Sequence, residues 1–315
     1  MRSVRSAVRA AERDAERRRK AEAKAQMHAD AEDAFLEWEE HIDELISIHT
    51  DLASSIDWQA LSERPAPKPP VQTSRGESQA QSALGAFKPK MFDFLRGGSA
   101  KLRAELERNV ESAKAHDRAA YDAALKKYEE EHADWEADKL LADRLLAGEP
   151  SAIKTVIAEM QSLSSHDLVG SAITFDIGEN LVHARTNVHG DDIVPKVRRK
   201  QLASGRLSET NMPAGEFHAL YQNYVASSAL KAAGDLFQIL PLQEIFVTCL
   251  TEMLDTKTGH QKLTPILSVQ FVRQTFENLN LSHIDPSDSL QNFNHSMQFK
   301  KTKGFTPIEP LKQID

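Results

Sequence analysis

Cysteine is almost absent from this chain of 315 residues, in which Cys249 is the only one. A single cysteine cannot close a disulfide within the chain, and it cannot build the cysteine clusters that hold structural zinc. Such low cysteine usage is typical of proteins that stay in a reducing compartment. We therefore expect a cytoplasmic protein.

Long apolar runs are absent as well. No stretch of about 18 consecutive apolar residues occurs, so the sequence predicts no transmembrane helix. The first residues alternate arginine with acidic side chains and have no apolar core, which argues against a signal or transit peptide. The formal net charge of −8 argues against a surface that is basic throughout, as in many nucleic-acid-binding proteins.

Proline and glycine are missing from two long stretches, residues 1–52 and 99–147. Because both residue types interrupt helices, each stretch predicts one long helix. The prolines lie between them, and residues at about 62–90 predict a disordered Pro-rich loop. We expect residues 1–148 to form a helical domain.

Apolar residues near the end of the first helix recur at spacings of three and four, which is the pattern of a coiled-coil seam. The seam residues are Phe35, Trp38, Ile42, Leu45, His49 and Leu52. The similar lengths of the two helices predict an antiparallel coiled-coil hairpin. A parallel coiled coil between two chains is an alternative that the sequence leaves open.

Residues 151–315 have a different pattern. Alternating apolar residues over 173–177 and 182–188 predict a β-hairpin, and an apolar run at 244–250 predicts a buried strand. A helix is predicted over about 215–240, ended by Pro241. The fold class is therefore α+β, with a long helical coiled-coil hairpin followed by a mixed-sheet α+β domain.

The segment "DTKTGHQK" combines Asp255, Lys257 and His260 in a way that suggests a catalytic loop. It lies between two apolar runs that predict strands, and Gly259 supplies the positive φ that a bulged hairpin loop needs. The pattern favours a structural turn.

Four residues are the weak candidates for a catalytic site: His183, Asp255, His260 and Asp285. Acids and histidines gathered from such distant positions would suit an intracellular metal-dependent hydrolase or nuclease-like enzyme. No spacing among them defines a metal site, and the phosphate-loop, dinucleotide and serine-hydrolase motifs are absent. We therefore predict no cofactor and no bound metal, and the enzyme is the alternative interpretation.

Basic residues are concentrated at the N-terminal tip. Residues 1–24 carry nine Lys and Arg against four Asp and Glu, in a chain that is acidic as a whole. The candidate polyanion-binding residues are Arg2, Arg5, Arg9, Arg13, Arg17, Arg18, Arg19 and Lys20. A nucleic acid, an anionic membrane surface or an acidic protein are the possible partners, and a solvated helix end is the simpler alternative.

Three segments resemble the C-terminal domain of a set of uncharacterised bacterial proteins that also carry a Glu/Arg-rich helical segment upstream. The segments are "LYQNYVASSALKAAGDLF", "LDTKTGH" followed by "ILSV", and "DPSDSLQNF". The resemblance covers most of the chain and implies a bacterial origin and a two-part architecture. It implies no catalytic residue, because no activity is established for that family.

The function that these observations favour is that of a non-enzymatic interaction and assembly protein. The coiled coil would mediate association with itself or with a protein partner, and the α+β domain would serve as a recognition module. The sequence contains no recognisable catalytic motif, and a catalytic function must be argued from a site.

Overall fold

The computed structural model describes residues 2–88, 98–163 and 173–312, and the side chains of residues 2–14 and 160–163 lie outside that description. The helices are α1 (Arg2–Ser47), α2 (Trp58–Glu63), α3 (Arg75–Gly85), α4 (Gly98–Leu146), α5 (Pro150–Leu163), α6 (Ala214–Ile239), α7 (Arg273–Glu277) and α8 (Pro286–Ser289). The strands are β1 (Ile173–Gly178), β2 (Leu181–Asn187), β3 (Val197–Gln201), β4 (Leu207–Asn211), β5 (Glu244–Leu254), β6 (Gln261–Val272), β7 (Asn294–Lys300) and β8 (Gly304–Thr306). Long helices and a mixed sheet confirm the predicted α+β class.

The chain divides into two compact units. The first unit combines residues 1–56 with residues 147–315, and the second unit is formed by residues 57–146. This division differs from the predicted domain over residues 1–148, because α1 packs with the C-terminal part of the chain. The reason is the seam of α1, which buries its apolar residues within the first unit.

The core of the first unit is a six-stranded sheet with the order β1-β2-β5-β6-β7-β8. All neighbours are antiparallel except β2 and β5, which run parallel, so the sheet is mixed as predicted. The apolar run of β5 explains its central place, because Ile245, Val247 and Cys249 are completely buried. A second sheet pairs β3 with β4.

One face of the sheet is covered by α6. Tyr224, Leu230 and Leu236 on this helix are at most 1% exposed. The thiol of Cys249 on β5 donates to the carbonyl of Val225 on α6. Fifteen of the 26 residues of α6 are buried, which is more than one apolar stripe provides. Another layer must therefore cover its outer side.

That layer is the end of α1, which contacts α6, β3 and β4. Ile42 and Leu45 of the predicted seam are buried, and the indole nitrogen of Trp38 donates to the carbonyl of Val197 on β3 at 3.1 Å. A seam of three-and-four spacing marks a helix face that must be buried, whatever covers it. Here α6, β3 and β4 cover this face.

After α1 the chain turns through a short 3-10 helix that is bonded to α6. His49 donates its backbone N–H to the hydroxyl of Ser227, and the same hydroxyl lies 2.8 Å from Nδ1 of the ring. The other ring nitrogen, Nε2, lies 2.9 Å from the carbonyl of Leu281. The neutral tautomer with a proton on Nε2 satisfies all three bonds.

In the second unit, α2, the Pro-rich segment and α3 lie along the half-buried stripe of α4. The indole of Trp135 donates to the carbonyl of Arg64 at 2.9 Å, and the backbone N–H of Glu77 donates to Asp117 at 2.9 Å. A Cβ on Gly76 would lie 2.7 Å from the Asp117 carboxylate, so glycine permits this close approach.

The Pro-rich segment therefore differs from the predicted disordered loop at about 62–90. Its residues up to 88 are described, α3 occupies positions 75–85, and Pro67 and Pro70 are half-buried. A Pro-rich composition predicts disorder for a segment that has no surface to pack against. Here the apolar stripe of α4 provides such a surface. Residues 89–97 lie outside the described part of the chain.

A membrane span requires a helix that is both long and apolar. No helix of the described residues meets that requirement.

Replacing Leu45 by Ala is expected to lower the free energy of unfolding by about 2–5 kcal/mol, because the side chain is 1% exposed and leaves a cavity. Leu36 on the same helix is 51% exposed and provides the matched control, with an expected change within about 0.5 kcal/mol on replacement by Ala. Urea unfolding followed by circular dichroism measures both. Equal losses would contradict the burial of the α1 seam.

Candidate functional site

The sheet holds His183 away from the other predicted catalytic residues. Its Nε2 lies 2.8 Å from the hydroxyl of Thr248, which lies 2.9 Å from that of Ser268. The Ser268 hydroxyl also accepts the backbone N–H of Leu311 at 3.1 Å. Thr248 and Ser268 are fully buried, so this chain of hydroxyls is an internal polar network.

Asp255 and His260 lie in the turn between β5 and β6, as the sequence predicts. The backbone N–H of Asp255 donates to the carbonyl of His260 at 2.9 Å, and its carboxylate accepts the N–H of Lys257 at 2.8 Å. Gly259 has a φ of 71°, which is the conformation that the turn requires. These contacts give the acidic side chain a structural role in the loop.

Asp285 is the N-cap of α8. Its carboxylate accepts from the backbone N–H of Asp288 at 3.0 Å, the hydroxyl of Ser287 at 2.9 Å and the amide of Asn223 at 3.2 Å. Burial acts to raise the pKa of Asp285, but these hydrogen bonds outweigh it and lower the pKa.

The structure brings Asp255 and His260 together in one turn and holds His183 apart from them. His183 is paired with Phe246 on β5, and Asp255 follows nine residues later in the turn after that strand, so about 30 Å of extended chain separates the two. In residues 2–88, 98–163 and 173–312, no group of three or more His, Cys, Asp or Glu side chains is arranged to hold a metal ion.

A polar cavity of about 830 Å³ lies at the carboxyl ends of β2 and β5. Crevices at the carboxyl ends of parallel strands are the usual ligand positions in open sheets. The residues that give this cavity its chemistry are His189, Asp191, Asp192, His218, Tyr221 and Glu252. None of these six residues is among the four catalytic candidates that the sequence suggests.

Tyr221 forms the floor of the cavity, where its hydroxyl donates to the carbonyl of His189 at 2.9 Å and lies 3.3 Å from the hydroxyl of Thr251. Burial raises the pKa of Tyr221 beyond its usual range, so the phenol stays protonated. The hydroxyl of neighbouring Tyr224 accepts the backbone N–H of His189 at 3.1 Å. Both tyrosines hold the backbone where the chain leaves β2.

The basic residues of the N-terminal tip lie on the first half of α1, which we call the basic arm (residues 2–27). Every side chain described there, from residue 15 to residue 27, is exposed. Packing begins at His28, whose ring lies so close to Gly205 that it leaves no room for a Cβ there. Arg17, Arg18, Arg19 and Lys20 are therefore presented to solvent, while the side chains of Arg2, Arg5, Arg9 and Arg13 lie outside the described ones.

No family model matches the chain, and neither the curated proteins nor the solved structures contain a match to it. The resemblance to uncharacterised bacterial proteins therefore stays a prediction.

The buried His49 and the half-buried His183 predict a pH dependence of stability. Burial lowers the pKa of His49 and of His183 below the ordinary value near 6.5, and the charge of Arg185 acts in the same direction on His183. Below that pH the unfolded chain takes up protons that the folded chain does not, so stability is lost as the pH falls from about 7.5 to 5.5.

Unfolding titrations at several pH values measure this loss. Replacing His49 by Gln is expected to flatten the dependence, because it removes one of the two groups. The same change at His260, which is exposed in the β5–β6 turn, is the matched control. A His49→Gln protein with the slope of the parent would contradict the assignment.

Proposed function

We propose that this chain is a non-enzymatic interaction and assembly protein, in which the basic arm binds a polyanion and the α+β body, which is the predicted domain over residues 151–315, serves as a recognition module. The observation that carries the proposal is the exposure of the basic arm. A helix of 26 residues extends over about 39 Å, and each of its described side chains from 15 to 27 is free of burial.

The composition of the basic arm explains how it stays helical without a covering layer. Alanine, arginine, lysine and glutamate have the highest helix propensities, and they dominate residues 7–25. Lys20 also pairs with Glu16 one turn earlier at 2.6 Å. A helix that is stable when solvated is suited to present charge at a distance from the body.

The charge favours an anionic partner. Arg17, Arg18, Arg19 and Lys20 are consecutive, so they point to all sides of the helix and act through charge density rather than through a shaped pocket. Interactions of this kind are dominated by counterion release from phosphates. The proposed partner is therefore a nucleic acid bound through its backbone, without base-specific contacts.

An anionic membrane surface is the weaker alternative for the same residues. Helices that lie in a membrane interface carry bulky apolar residues such as Trp, Phe and Leu opposite their basic face. Residues 15–26 of the basic arm contain none of these, and Met27 is the first large apolar residue after them. The arm has charge for the headgroups and little apolar surface to insert.

The enzyme interpretation would need acids and histidines assembled around a reacting group. His183, Asp255, His260 and Asp285 are far apart or occupied in turns and caps, so no observation favours a hydrolase or nuclease over the interaction protein. The interaction protein therefore remains the proposed function, with the basic arm binding a polyanion and the α+β body binding other partners.

A matched pair of variants tests the basic arm. One variant replaces Arg17, Arg18, Arg19 and Lys20 by Gln, and the other replaces Lys114, Arg118, Lys126 and Lys127, which are exposed on α4, in the same way. Both lose four positive charges. The arm variant is expected to bind duplex DNA at least about ten-fold more weakly at 100 mM salt, and its slope of log K against log[salt] is expected to fall by up to about 3.6.

Fluorescence anisotropy with a labelled duplex between about 50 and 200 mM salt measures the two slopes. The α4 variant is expected to keep the slope of the parent. Equal losses in both variants, or no binding of the parent protein at the lowest salt, would sink the proposal. Binding to anionic vesicles instead of DNA would identify the membrane alternative.

A further inference from the structure

The cavity at the end of β2 is an unfilled strand position in the sheet. The last bond between the two parallel strands runs from the N–H of Val188 to the carbonyl of Leu250, at 2.8 Å. The chain then turns away through Gly190 into a short 3-10 helix at Asp191–Ile193. Beyond Leu250, β5 continues for four residues without β2 beside it.

The pairing of β5 with β6 shows which backbone groups face this position. The two strands remain paired up to Leu254 and Gln261, so they form a two-stranded finger beyond the end of β2. Since backbone groups alternate in direction along a strand, those of Glu252 and Leu254 point to the same side as the carbonyl of Leu250. No strand of the described residues pairs with that edge.

An open edge of this kind is a template for another extended chain. The stretch from Leu250 to Leu254 is about 13 Å long, which matches roughly four residues of an added strand. The cavity beside it contacts both faces of the finger, because consecutive residues from Thr251 to Leu254 line it. A flat pocket beside one face would contact alternate residues only.

The lining of the cavity selects the chemistry of the added strand. Three carboxylates, from Asp191, Asp192 and Glu252, face it against the single ammonium group of Lys303. Leu254 and Leu263 lie on the same face of the finger and are 58% and 44% exposed. Glu252 lies opposite Leu263 on that same face, so the walls complement basic and apolar side chains in the added strand.

We propose that the α+β body binds an extended basic peptide segment by strand addition to the free edge of β5. This inference rests on the proposed role of the body as a recognition module and specifies its mode. Backbone hydrogen bonds at Glu252 and Leu254 supply the affinity, while the carboxylates and the exposed leucines select the sequence.

The test uses the full chain and a capped peptide of about eight residues in which Lys and Val alternate. Two control peptides have the same length: one with Glu in place of Lys, and one that keeps Lys and Val but carries N-methyl groups at every second residue. The Lys–Val peptide is expected to bind at least about ten-fold more tightly than either, a difference of about 1.4 kcal/mol.

Hydrogen exchange locates the bound peptide. We expect protection of the amides of Glu252 and Leu254 on binding, because neither donates to another group among the described residues. Equal binding of the N-methylated peptide, or binding without protection of this edge, would overturn strand addition. Equal binding of the Glu–Val peptide would overturn the charge selection.

Variants of the protein give a second test. Replacing Leu254 by Pro removes an outward N–H that β6 does not use and is expected to abolish binding, whereas Leu254→Ala keeps that N–H and is expected to retain backbone binding. Thermal melting checks that both variants fold.

The arm variant at Arg17, Arg18, Arg19 and Lys20 separates this inference from the proposed DNA binding. That variant is expected to bind the Lys–Val peptide as the parent does. A parent protein that binds DNA but not the Lys–Val peptide would contradict strand addition and leave the proposed role of the arm in place. A parent protein that binds the peptide but not DNA would contradict the role of the arm and leave strand addition in place.

Discussion

The packing of α6 between the sheet and the end of α1 is the contact on which the first unit depends. Small residues make it possible: Ala226, Ser227 and Ala229 are fully buried, and Gly234 lies so close to Leu52 that a Cβ would meet its side chain at 2.6 Å. Close packing of this kind transmits any added volume to both layers. The sheet, the seam of α1 and the tyrosines under the cavity are all positioned from this one helix.

Buried polar groups in the same contact fix the position of the end of α1 along α6. Lys231 is 5% exposed, pairs with Asp235 at 3.1 Å and donates to the carbonyl of Asp51, while Asp235 also accepts the N–H of Ala53 at 2.9 Å. A buried donor or acceptor that loses its partner costs about 1–3 kcal/mol, so a shift of α1 along α6 would be penalised at several bonds together. Apolar contacts alone tolerate more sliding than these bonds do.

Local sequence patterns predict the helices and strands well because their causes are local. Gly148 has a positive φ at the end of α4, and the apolar run of β5 is buried as expected. The identity of a partner is different: the spacing of the α1 seam specifies that a face is buried, while the partner, α6, lies about 180 residues away. The cavity could not be predicted from the sequence for the same reason, since His189 and Glu252 come together only when the register of β2 and β5 is known.

The first unit is interrupted in the sequence by the whole second unit, because residues 57–146 separate its two parts. A ribosome therefore completes α1 long before the residues of α6 that cover its seam emerge. At about 5–20 residues per second, the seam waits on the order of 10–40 s for its partner. During that time Ile42 and Leu45 are apolar surface on a nascent chain, while the intervening unit holds all of its own residues and can form first. The order of synthesis thus leaves the seam of α1 open to chaperones and to neighbouring chains until α6 has emerged.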